Sequence, residues 1–304
     1  MYTVKSPLIP TSNARLVEKY SVDNLVNEWK SLFDIDITNE LKGLDEIFLY
    51  RCEESHLDFF LPSSAAGTSN LYHALQKFDW FYSREKWEFD EAIKDLAGCI
   101  NVLDVGCGEG FFIEKAFKTL QLESIRGIEL NEVAVEKAIK KNLHVDRLSL
   151  KHLIDKGETF DAVCGFQILE HLNDPLTYLE DMIKLLAHNG KLILSVPNKE
   201  SFLKHQHNLL DMPPHHMTKW SLDTFKYLEK LFSLKLMRFN FEPLAKTHIP
   251  GYVNTYAQHL CSKIFPRTLS PSNYILRGIS ALLEKTTLHR FLRGQSLYVM
   301  YQKP

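Results

Sequence analysis

The nine residues Val102-Leu103-Asp104-Val105-Gly106-Cys107-Gly108-Glu109-Gly110 constrain this chain more than any other stretch. An apolar run suited to a buried strand passes directly into three glycines at alternate positions, and a helical period begins at once behind them. Lacking Cβ atoms, such a turn lies close against a ligand, and the helix beyond it offers unpaired N–H groups. Strand, tight turn and helix in succession open a βαβ unit of a parallel sheet, which binds ligands at the carboxyl ends of its strands. Asp104 puts an acid just before the turn. Glu129 ends the next strand candidate, 19 residues past Gly110, placed to accept hydrogen bonds from ribose hydroxyls.

Glycine spacing narrows the ligand. A dinucleotide loop requires G-x-G-x-x-G/A so that helix and strand pack closely and a pyrophosphate sits at the helix start. Here the pattern is G-x-G-x-G, with Phe111 where the small residue belongs. The leading acid also suits an ammonium group better than a pyrophosphate. Both features disfavour a nicotinamide oxidoreductase.

Periodicity around this motif predicts strands at 100–105, 124–129, 160–166, 191–196, 234–241 and 296–301. Helices are expected at 110–119, 133–141, 175–187 and 222–231, the third closed by a stop signal at Asn189-Gly190. Upstream, Leu25, Val26, Trp29 and Phe33 share a helical face, 46–50 alternates as a strand, and 71–96 reads as helical and rich in aromatics. The expected fold is α/β: a Rossmann-like, mostly parallel seven-stranded sheet with helices on both faces, an N-terminal α+β addition and a helical insertion before the last strand. The corresponding division is 1–70 for the addition, 71–243 for the core, 244–294 for the insertion and 295–304 for the final strand. A chain of 304 residues that is 45% hydrophobic can bury a core of this size.

The chain carries a net charge of −2, so no overall basic excess draws it to nucleic acid. The charge is unevenly spread. Residues 244–304 hold eight Lys/Arg against Glu284 alone, a charge of +7, which leaves −9 for the rest. Arg277, Arg290 and Arg293 in the insertion therefore suggest an anionic acceptor or peripheral docking on an anionic membrane surface. The five cysteines are scattered without a C-x-x-C pair, and no apolar run reaches the roughly 20 residues of a membrane span. A cytoplasmic location is expected, without a disulfide scaffold.

With Asp104 before the glycine turn and Glu129 after it, the sequence resembles the class I S-adenosylmethionine-dependent methyltransferases. The resemblance continues through Phe160-Asp161-Ala162-Val163, Leu169-Glu170-His171, Asp174-Pro175, Asn189-Gly190-Lys191-Leu192 and Val196-Pro197-Asn198, over roughly 99–241 and again 294–303. It is most similar to the branch containing the ubiquinone-pathway O-methyltransferases, while Pro213-Pro214-His215-His216-Met217-Thr218-Lys219-Trp220 resembles a loop of bacterial enzymes that modify glycans and natural products. The chain departs from relatives with a cysteine zinc knuckle, since Cys52 has no partners for one. It also has Asn189-Gly190 at a usual Gly-Gly turn.

The resemblance implies S-adenosyl-L-methionine as cofactor, held by Asp104, Gly106, Cys107, Gly108, Gly110, Glu129, Leu130, Phe166 and Gln167. It implies methyl transfer to a hydroxyl of a small-molecule or glycan-type acceptor. N-methylation, or a catalytically inactive binding module, are the other readings. Because the sulfonium is already electrophilic, the protein must chiefly align the acceptor and, for a hydroxyl, take its proton. His215, His216 and His171 are the candidates for that proton, because imidazole titrates near neutrality. Structural roles compete for each of them. Tyr82, Arg84 and Trp87 are candidates for a lid over the cofactor, with core packing as the rival role. His205 and His207, taken with His215 and His216, lack an acid or thiolate cluster at ligand spacing, and no metal is expected.

Overall fold

The computed structural model describes residues 4–78, 84–120, 124–264 and 273–304. In chain order, β1 (Ala14–Ser21) leads into α1 (Val22–Phe33), then β2 (Glu46–Cys52), β3 (Asp58–Leu61), α2 (Ser69–Leu75) and α3 (Trp87–Asp95). The core follows as β4 (Asn101–Val105), α4 (Phe111–Thr119), β5 (Ser124–Ile128), α5 (Glu132–Lys140), β6 (Val145–Asp146), α6 (Leu150–Asp155) and β7 (Phe160–Phe166). It continues with α7 (Pro175–Lys184), β8 (Leu186–Pro197), β9 (Thr218–Lys219), α8 (Leu222–Phe232) and β10 (Lys235–Pro243). The insertion contributes α9 (Ile249–Ile264) and α10 (Asn273–Lys285), and β11 (Arg293–Gln302) ends the chain.

Seven strands form the main sheet in the order β10-β11-β8-β7-β4-β5-β6. The five from β8 to β6 run parallel, and β11 and β10 close the edge antiparallel. Alternation along the buried strands divides the core between two faces. Leu103, Val163, Leu192 and Leu194 join Met182 of α7 and Phe225 of α8 on one side. Val102, Ala162, Cys164 and Ile193 join Phe112 of α4 and Ala92 of α3 on the other. The expected Rossmann-like architecture is the observed one.

A second, four-stranded antiparallel sheet runs β1-β2-β3-β9. Its core gathers Trp29, Ile37, Ile47 and Phe60 with Met212 and Met217, which lie far downstream in the chain. Asp58 of β3 is nearly buried and accepts from Arg51 Nε at 2.6 Å and Lys199 Nζ at 3.0 Å, tying this sheet to the segment after β8.

Two local expectations are corrected. The helix expected at 175–187 stops at Lys184, and Asn189-Gly190 lies inside β8. Asn189 takes a left-handed φ of 61° where the register against β7 shifts between Phe160 and Ala162, so the pair forms a bulge instead of ending a helix. The single helical stretch at 71–96 is two helices, α2 and α3, with Trp80, Phe81 and Tyr82 between them outside the described residues. Residues 145–155 hold a two-residue strand and a one-and-a-half-turn helix, both too short to show a period. Among the described residues, no helix is long and apolar enough to cross a membrane.

Candidate active site

The glycine turn rises from the carboxyl end of β4 with Gly106, Gly108 and Gly110 all at positive φ, 68°, 54° and 78°. Only glycine adopts these angles without strain. Packing is also close: a Cβ at Gly106 would stand 2.5 Å from Ile168 Cδ1, and one at Gly110 would stand 2.6 Å from Leu143 Cδ1, so those side-chain ends would have to shift. Gly106 and Cys107 donate their N–H groups to the Ile128 carbonyl, and Gly108 donates to Glu129 Oε2 at 3.0 Å. The other Glu129 oxygen accepts from the backbone of Leu130 and Asn131. Glu129 therefore shapes the loop that it faces, with both of its oxygens engaged by backbone N–H groups.

Asp104, Gly106, Cys107, Gly108, Phe166, Gln167, His171, His215 and His216 line one cavity of about 370 Å³. Gly110, Glu129 and Leu130 do not line it, and the Leu130 side chain is 68% exposed. At the donor end, Asp104 is fully buried. Burial, with the Glu129 charge second, holds its carboxyl well above the usual range. A buried carboxyl beside a second acid fits an ammonium-bearing ligand, whose charge would restore its ionised form. Phe111 also lines the cavity, with Lys141 Nζ 3.9 Å and Arg84 5.3 Å from its ring centre. Trp87 packs edge-on to Tyr298 with centres 6.4 Å apart, a core position, whereas Tyr82 lies outside the described residues.

Gln167 lines the same cavity. It holds a left-handed φ of 55°, unusual for a residue with a side chain, and its Nε2 donates to Glu88 Oε1 at 3.2 Å. Burial pushes the Glu88 carboxyl up. Beyond it, the 3-10 turn Leu169–His171 meets the loop carrying His215 and His216. The Met217 N–H donates to the Glu170 carbonyl, and the Thr218 hydroxyl donates to the Leu169 carbonyl while accepting from Trp220 Nε1.

These bonds bring the three histidines together. Ring centres of His171 stand 4.9 Å from both His215 and His216, and the last two stack at 4.3 Å. Burial lowers all three below the ordinary imidazole range, His215 to about 4, so all are neutral at pH 7. The Glu170 carboxyl between them and the core is raised to about 8 by burial, and its Oε2 has no hydrogen-bond partner among the described residues. His205 and His207 stand elsewhere: one stacks on His259 at 3.7 Å, and the other faces Glu28.

Sequence reasoning missed Tyr72 and Asp211. Tyr72 disappeared into an aromatic stretch read as core, yet its hydroxyl stands 3.2 Å from His171 Nδ1. Asp211 lies five residues before His216 and faces its Nδ1 at 3.2 Å. Only the bend at Pro213-Pro214 between them signals that they meet.

A family model described as a methyltransferase domain matches residues 57–236, more than half of the chain. The chain belongs to this methyltransferase family. S-adenosylmethionine is the methyl donor that comes with it, and the glycine loop with the buried Asp104 carboxyl, which line the cavity, fit that donor. Among curated relatives, the chain is similar to the mitochondrial ubiquinone biosynthesis O-methyltransferase of Dictyostelium discoideum, 26% identical over 47% of this chain and 53% of that protein. The counterpart from Candida albicans is 35% identical over 36% of each. The chain thus spans about half or less of the length of these relatives. Among solved structures, a SAM dependent methyltransferase from Archaeoglobus fulgidus is 22% identical, with a TM-score of 0.49, covering 76% of this chain and 100% of that one.

Proposed function

We propose that this methyltransferase moves a methyl group to a hydroxyl of a polar small-molecule or glycan-type acceptor, with the acceptor's proton drawn off at the histidine cluster. One observation carries the reading: the glycine loop with Asp104, Gln167 and the three neutral histidines line a single cavity. The donor supplies an electrophilic methyl on a sulfonium. The chain's own part is to hold the donor's ammonium at Asp104 and its ribose at Glu129, and to keep the acceptor oxygen in line. A neutral imidazole takes the hydroxyl proton, the oxygen pair forms the O–CH₃ bond, and the S–CH₃ electrons stay with sulfur.

Support for a polar acceptor comes from a second cavity of about 640 Å³, which shares Lys199, Leu203, Lys204, Asn208 and Asp211 with the first. Its wall carries both charge signs, among them Arg51, Asp58 and Lys219, a lining that matches neutral polyhydroxylated groups better than a bare anion or an apolar tail. The insertion holds this wall in place: Phe202 packs on Tyr252, and Thr255 donates to Gln206 at 2.9 Å. We place the protein in a reducing, cytoplasmic compartment, on the support of five free cysteines.

The test is transfer of labelled methyl from S-adenosylmethionine to a panel of hydroxylated acceptors, sugars and phenols included. Lys204→Gln and Asn208→Ala should raise the acceptor KM several-fold and leave adenosylhomocysteine affinity unchanged. Turnover confined to amines in that panel overturns the hydroxyl assignment.

A further inference from the structure

His171, His215 and His216 bring one ligand atom each to within 4.8 Å of one another, in the wall of the cavity that the glycine loop also lines. What surrounds them settles which nitrogen each ring offers. His171 Nδ1 faces the His215 carbonyl at 2.8 Å, and His215 Nδ1 faces the Leu210 carbonyl at 2.7 Å. A carbonyl only accepts, so both Nδ1 atoms carry the ring hydrogen. His216 Nδ1 turns to the Asp211 carboxylate, which Lys219 Nζ holds from the other side at 3.3 Å. In a neutral imidazole this leaves Nε2 as the lone-pair nitrogen of each ring. Metal-binding histidines are oriented in this way, with the second nitrogen donating to a carbonyl or carboxylate that fixes the ring.

We propose that His171, His215 and His216 form a binding site for one divalent transition-metal ion of the zinc type, with a further coordination position open to the acceptor side of the cavity. Three imidazoles plus one open position are the ligand set of catalytic zinc, and nitrogen ligands select zinc, nickel or cobalt over magnesium or calcium, which require oxygen. Tetrahedral ligands at about 2.1 Å from zinc stand roughly 3.4 Å apart, so the rings need to draw in by about 1 Å. A second observation points the same way. Glu170 lines the same cavity, fully buried, with Oε2 unpartnered among the described residues, a carboxyl group whose ionised form a bound cation would stabilise.

The inference rests on the methyltransferase reading and changes the work assigned to the histidines. With an ion present, the rings are ligands, the ion polarises the acceptor hydroxyl, and the proton leaves to solvent water instead of to an imidazole.

The test is calorimetric titration of chelator-treated protein with Zn²⁺ and with Mg²⁺, alongside a separate titration with adenosylhomocysteine. One equivalent of Zn²⁺ and no Mg²⁺ is the expected result. His215→Ala and His216→Ala should each weaken Zn²⁺ at least 100-fold, Asp211→Asn roughly 10-fold or more, and His188→Ala, an exposed residue in β8, not at all. Asp211→Asn keeps the ligands and decides the matter if the alanine variants do not fold. Protein that binds adenosylhomocysteine but no Zn²⁺, or Zn²⁺ binding indifferent to these substitutions, overturns the metal site while leaving the methyltransferase reading intact. Loss of adenosylhomocysteine binding in the parent protein is the outcome that strikes the methyltransferase reading itself.

Discussion

Burial, with the Glu129 charge second, raises the Asp104 pKa well above the usual carboxylate range, so below that raised pKa a bound ammonium group must draw off its proton. Donor binding should therefore release protons, and affinity should rise with pH through the raised Asp104 pKa. Calorimetry in buffers of different ionisation enthalpy reads this directly, and Asp104→Asn should remove the proton release while weakening the donor by about 1.5–3 kcal/mol. The sign for stability is the opposite. An acid whose folded pKa lies above its unfolded value favours the folded state at low pH, and that contribution is lost as pH rises through the folded pKa. Without ligand, Asp104→Asn should thus be more stable than the parent at alkaline pH and not in acid, as urea titrations at both pH values would show. Asp104 and the glycines were legible in sequence because a ligand-facing turn dictates residue types at fixed spacing. Tyr72 and Asp211 were not, because they meet His171 and His216 only through long-range folding that no local pattern encodes.

At the scale of elements, the acceptor side depends on Thr218 at the start of β9. Its hydroxyl satisfies both the Leu169 carbonyl and Trp220 Nε1, all buried. Thr218→Val keeps the shape and orphans both groups, which should cost about 2–4 kcal/mol in urea unfolding and lower kcat, while donor affinity holds. The parallel strands were readable because strands covered on both faces are near-continuous apolar runs, and 160–166 is observed within those limits. Two-residue strands such as β6 and β9 carry no period. β1 escaped for another reason: its burial pattern is almost wholly exposed, so no apolar alternation announces it.

For the whole molecule, the basic insertion is better understood as a buttress than as an electrostatic funnel. Arg293 stacks 4.1 Å from the Phe241 ring centre, and neither Arg277 nor Arg290 lines either cavity. The triple variant Arg277→Gln, Arg290→Gln, Arg293→Gln should leave the acceptor KM and its salt dependence unchanged. Val253→Asp, which puts a charge into the cluster of Phe202, Leu244 and Ile249, should raise KM by loosening the 199–212 wall. Charge counts gave the insertion its sign but not its position, and position decides what a charge acts upon. The four-stranded sheet carries a consequence for the chain's synthesis. Its strands β1 to β3 are made early, yet β9, which completes the sheet, and Met212 and Met217, which complete its core, follow about 160 residues after β3. At roughly 5–20 residues per second, the N-terminal strands wait on the order of ten to thirty seconds with an apolar face and a strand edge uncovered. Within this sheet, the strands translated first wait longest to be covered, and during that interval the nascent chain is most exposed to chaperones and to mispairing.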